Sequence, residues 1–149
     1  MSIEELIPST LAPSPEQTEI LLELAYLVTA ADGRLADEEL VAFERIASRL
    51  YGKAVTPPEL DGLIERFAHN VEQAEIEARV RELVPSLEKE LHAAAYRLAL
   101  GVAFVDHEAS EQEDALHKVL GDALGLTSEM RAALSRQVSL GGGKAQSLA

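Results

Sequence analysis

Carboxylates gather at two places in this chain. The stretch AADGRLADEEL, residues 30–40, holds Asp32 and, seven positions later, Glu39. The stretch DHEASEQED, residues 106–114, holds Asp106 and, seven positions later, Glu113, with His107 and Glu108 between them. In both, the Asp closes an apolar run and the Glu opens an amphipathic one, so each pair belongs to a turn between two helices. A helix C-terminus carries partial negative charge, which disfavours an exposed Asp there by about 0.3–1 kcal/mol. Three things can offset that cost: the N-terminus of the following helix, Arg34 in the first stretch, or a bound cation.

Carboxylate oxygens suit the hard cations calcium, magnesium and manganese. His107 either adds a softer ligand, shifting preference toward a transition metal, or is a solvent-exposed turn residue. The second stretch is the stronger candidate, with five carboxylates in nine residues and no Lys or Arg. The competing reading is helix punctuation, because Glu39 and Glu113 stand three residues after the candidate caps, where a capping box places its Glu. Asp32, Glu39, Asp106, His107, Glu108 and Glu113 are thus the candidate metal ligands. An EF-hand is excluded: counted from Asp32, Arg34 and Ala36 fall where that loop needs oxygen ligands, and the Gly comes too early.

Other constellations are thinner. Asp114 and His117 have the i, i+3 spacing of carboxylate-bridged di-iron bundles, but that chemistry needs the motif on two helices, and it occurs once. Glu65 with His69, Glu88 with His92, and Glu113 with His117 are i, i+4 pairs, expected as surface ion pairs on helices. No Ser-His-Asp order, phosphate loop or Gly-rich nucleotide turn is present. The chain has no Cys, which excludes a thiol nucleophile, a thiolate metal site and a disulfide framework. No nucleophile–base pair stands out, so an enzyme is not expected.

The formal net charge of −13 repels nucleic acid and anionic lipid heads and favours cations and basic protein surfaces as partners. The N-terminus, MSIEELIPST, is acidic where a signal peptide would be basic. The longest apolar run, Leu98 to Val105, is too short to span a bilayer. A cytoplasmic protein without membrane insertion is expected. At 149 residues, 47% of them apolar, the chain is one domain with a real core. With 3 Phe, 3 Tyr and no Trp, that core must be built from Leu, Ala, Val and Ile, which favours packed helices.

The elements that must position the carboxylates follow from caps and period. Ser14, Pro15 and Gln17 read as the cap, first position and capping-box residue of a mostly apolar helix that Gly33 ends. A second helix is predicted from about Asp37 to Tyr51, with Leu40, Phe43, Ala47 and Leu50 on one face. Thr56, Pro57 and Glu59 open a third, with a stripe of Leu60, Leu63, Ile64 and Phe67. Asn70 and Gln73 repeat the capping pattern for a polar helix ending before Pro85. A second strongly apolar helix is predicted over 86–105. Ser110 and Glu113 open another, to about Leu124, and Thr127 or Ser128 caps a last one to about Val138. The expectation is an all-α single domain of about seven helices. A flexible N-terminal arm over 1–13 precedes a helical domain over 14–138, and a flexible tail spans 139–149.

The opening unit recurs. Shifted by 74 residues, Leu24, Ala25, Val28, Asp32, Glu39 and Leu50 fall on Leu98, Ala99, Val102, Asp106, Glu113 and Leu124. Residues 24, 25, 28 and 32 share one side of a helix, so the matches form a coherent face. This predicts two copies of a buried helix, an acidic turn and an amphipathic helix, at about 16–50 and 90–124, joined by linker helices over 56–84. Whether the turns form one site or two depends on whether the buried helices run in the same sense.

These motifs resemble the TerB-like family, the B component of bacterial tellurite-resistance systems and its relatives. AYLVTAADGRLADEE is similar to the family's apolar helix ending in Ala-Asp-Gly with Glu seven after the Asp. ALGVAFVDHEASEQE is similar to its second copy, and ALGLTSE to its usual close. The chain departs in having His107 for the second Gly and Ala36 for a hydroxyl or Asp cap. The resemblance covers about Glu16 to Gln137. It implies a non-enzymatic helical module of the response to tellurite and other toxic oxyanions. It also implies acidic residues suspected of binding metal, and partners among the other tellurite-resistance components. Some of those are membrane-associated, which would bring this chain to the inner membrane face. The expected function is binding of a divalent cation, of partner proteins, or of both through the two turns. The alternative is a metal-free scaffold whose acidic surface docks a basic partner.

Overall fold

The computed structural model describes residues 13–29, 37–73, 75–103 and 111–136. Seven helices and no strand occur among them. They are α1 (Pro15–Thr29), α2 (Asp37–Tyr51), α3 (Pro57–Gln73), α4 (Ile76–Leu83), α5 (His92–Ala103), α6 (Glu111–Ala123) and α7 (128–136). The all-α single-domain expectation therefore holds.

Several helix ends follow their local chemistry. The Gln17 amide donates to Ser14 Oγ at 3.2 Å, which caps α1. At α3 the capping box is complete: Thr56 N donates to Glu59 Oε1 at 3.1 Å, and Glu59 N to Thr56 Oγ1 at 3.4 Å. Gly125, with φ +74°, ends α6 while Leu126 N donates back to Gly121 O. Thr127, not Ser128, caps α7 by accepting from Met130 N at 3.1 Å.

Three expectations need correction. Gln17 does not close a box on Ser14; its amide binds Ser86 O at 2.9 Å and accepts from Glu88 N at 2.8 Å. That clamp holds the chain ahead of α5, where Leu87 is extended (φ −85°, ψ 131°). The predicted helix over 86–105 therefore starts only at His92, preceded by short 3-10 turns at Val84–Ser86 and Lys89–Leu91. Asn70 caps nothing: α3 runs through it to Gln73, and α4 starts after Glu75 with no side-chain cap.

The core is the stripe shared by α1 and α5, the most extensively packed pair. Leu24, Ala25 and Val28 of α1 and Leu98, Ala99 and Val102 of α5, which the 74-residue shift superposes, are all fully buried. Helix α2 packs on α1 and reaches α5, while α6 packs on α5 and reaches α1. The linker helices α3 and α4 both pack on α1, and α4 packs on α6 as well. Because Gln17 in the first turn of α1 grips the approach to α5, the two buried helices set off from one end of the bundle and run in the same sense. Thr29 and Ala103 consequently both lie toward the other end.

Candidate functional site

Two of the predicted carboxylates, Glu39 and Glu113, lie in the first turns of α2 and α6. Asp37 and Glu38 are exposed in the first turn of α2, but Glu39 beside them is only 3% exposed. Glutamate is rarely buried unless something binds its oxygens, and a helix N-terminus is the favourable place for it. Thr29, in the last turn of α1, is fully buried, and its Oγ1 finds no hydrogen-bond partner among the described residues. Glu113 is placed by its backbone in the first turn of α6. Asp32, Asp106, His107 and Glu108 lie outside the described residues, as do Gly33, Arg34 and Ser110. Among the described residues no three His, Asp or Glu side chains cluster as a metal site would require.

A second polar assembly went unseen in the sequence. Glu23, on the apolar helix α1, is 3% exposed. It receives two hydrogen bonds from Arg79 of α4, from Nε at 2.6 Å and Nη2 at 3.0 Å, and Asn70 Nδ2 of α3 donates to both its oxygens at 3.3 Å. Arg79 Nη1 also holds Glu82 Oε1 at 2.7 Å. These bonds, the one to Glu23 first, raise the Arg79 pKa above its ordinary value. The available signal was Glu23 itself, a charge inside the apolar run ILLELAYLV, which must find a partner when buried.

One repeat later, Arg97 takes the place of Glu23. It is half-buried, its Nε has no hydrogen-bond partner among the described residues, and burial lowers its pKa. His117 corrects another expectation, because it is 6% exposed and stacks edge-on to Tyr96 with ring centroids 6.5 Å apart. It fills the core place that Phe43 fills one repeat earlier, so it is not on a solvated face. His92 likewise points its ring nitrogens at Leu124 O and Leu87 O, at 3.2 and 3.3 Å, rather than at a surface carboxylate.

The duplicated buried helices α1 and α5 flank the linker pair α3 and α4 in the chain. The family model described as tellurite resistance protein TerB matches residues 18–136. The chain belongs to the TerB family. The match begins in the first turn of α1 and ends in α7, so both carboxylate turns and both linker helices lie inside the TerB module. No curated protein and no solved structure matches the chain. No described helix of this TerB protein is long and apolar enough to cross a membrane.

Proposed function

We propose that this TerB protein is a non-enzymatic module that binds a divalent cation at the end of the bundle where α1 and α5 both terminate. The observation that carries the reading is the family match over residues 18–136, which takes in both Asp-x6-Glu stretches. Glu39, 3% exposed at the start of α2, is the one of those carboxylates whose side chain the structure describes. The orphan hydroxyl of Thr29 stands at the end of the preceding helix. Carboxylate and hydroxyl oxygens fit calcium, magnesium or manganese better than softer metals. Asp32 and Glu39 from one turn, and Asp106, Glu108 and Glu113 from the other, would hold the ion, with His107 as the softer ligand. Bound there, it would neutralise carboxylates that otherwise face the negative ends of two helices. The module would serve tellurite and related stress responses in the cytoplasm, or at the inner membrane face through a partner from the same system.

A second reading is docking of a basic partner without metal. The net charge of −13 and the exposed Asp37 and Glu38 favour it. Thermal melts of chelator-stripped protein with millimolar calcium, magnesium, manganese or zinc separate the two. An ion that binds only the folded state stabilises it by about 2.7 kcal/mol at a hundredfold excess over Kd, a shift of several degrees. The cation reading expects that rise for one ion, and its loss in Asp106→Asn with Glu113→Gln. No rise with any ion leaves the carboxylates as helix caps and the metal-free scaffold as the function.

A further inference from the structure

Helix α3 carries a glycine that its surroundings do not require. Gly62 sits in the helix interior, where alanine would favour the helix. A Cβ built on it meets no atom within 4 Å, so close packing does not demand glycine either. What Gly62 does border is open space on two sides. One side is a pocket of about 490 Å³ between α1, α3 and α4, floored by Phe67 and the Glu23–Arg79 pair. The other is a pocket of about 380 Å³ between the end of α2 and α3, walled by Tyr51, Val55 and Leu63. Gly62 and Arg66 line both, so the two pockets adjoin across α3 as the halves of a groove divided only by these two residues.

The charges along the groove are nearly all matched. Arg66 is bound to Glu19, Lys53 to Glu59, and Arg79 to Glu23 and Glu82. Glu65 is the exception, an exposed carboxylate on the wall of the larger pocket with no hydrogen bond or ion pair to any described residue. It lies about one helical turn beyond Gly62, roughly 5 Å along the axis. A groove with an apolar half and a single unmatched negative charge, on a chain of net charge −13, is complementary to a basic and apolar ligand.

We propose that this groove docks a segment of a partner protein that presents a large apolar side chain and a Lys or Arg about one helical turn apart. The apolar side chain enters the pocket of Tyr51, Val55 and Leu63, and the cation meets Glu65. Gly62 keeps the passage between the two halves open. The site lies along α3 and does not rest on the cation reading at the carboxylate turns.

The test selects a random phage-displayed peptide library on the full chain in EDTA, then measures the enriched peptides by fluorescence anisotropy. Enriched sequences should pair Lys or Arg with Leu, Ile, Phe or Met three or four positions apart. Their affinity should fall at least tenfold on Gly62→Leu and on Glu65→Lys, and be unchanged on Glu129→Lys, an exposed site on α7. Gly62→Leu should melt above the parent, so its loss of binding cannot be unfolding. Enrichment without that pairing, equal binding to all variants, or no enrichment overturns the proposal. So does a dimer that Gly62→Leu dissolves, which would make a second copy the occupant.

Discussion

Thr56 and Glu59 show how much a single local contact fixes. The Glu59 carboxylate accepts from the Thr56 amide at 3.1 Å and from its hydroxyl at 2.9 Å. Those bonds, with Lys53 beside them, hold its pKa below the ordinary carboxylate value. Thr56→Ala should cost about 1 kcal/mol, read from urea unfolding. A depressed folded pKa gives stability that is complete above the unfolded value, about 4.3, and lost as pH falls through the folded one. Glu59→Gln keeps the box but not the titration. The stability advantage of the parent over Glu59→Gln should therefore be constant near neutrality and shrink below about pH 4.3. A pH-independent difference would show that the charge contributes nothing. This contact was legible in the sequence because both partners lie three residues apart. Glu23 was not, because Arg79 is 56 residues away and no local pattern joins them.

Among elements, the linker pair depends on that distant contact. Helix α4 is short, carries no side-chain cap, and is bound to α1 through Arg79 and Glu23. The same carboxylate takes Asn70, so α3, α4 and α1 meet at one buried charge. Removing Glu23 leaves Arg79 with only the exposed Glu82: Glu23→Leu should cost about 3 kcal/mol. Glu23→Leu with Arg79→Leu should cost far less than the two single changes together, because a buried pair replaced by apolar side chains is often near neutral. Simple additivity in urea unfolding would mean that the two side chains act independently. The same physics explains which elements could be read in advance. All seven helices follow from apolar period, and local caps mark the starts of α1, α3 and α7. The boundaries that moved are at residues 70 and 86, where Asn70 donates to Glu23 and Gln17 binds Ser86 and Glu88. A side chain that completes a distant contact is unavailable as a cap, and sequence spacing carries no sign of it.

For the whole molecule, the deciding property is the shared sense of α1 and α5. The apolar stripe alone does not reveal it, because parallel and antiparallel packing bury the same Leu24, Ala25, Val28, Leu98, Ala99 and Val102. Antiparallel helices would send the two carboxylate turns to opposite ends, where each could act only alone. With the first turn of α1 gripping the approach to α5, both turns leave from one end. An ion at that end would, on the proposed cation reading, offset part of the self-repulsion of a chain of net charge −13. On the proposed cation reading, calorimetric titration with manganese should give one ion per chain. Asp32→Asn and Asp106→Asn should each weaken that one binding event. Two ions per chain, with Asp32→Asn abolishing only one of them, would mean that each turn works independently. The duplication would then have produced two sites side by side rather than one site made of two halves.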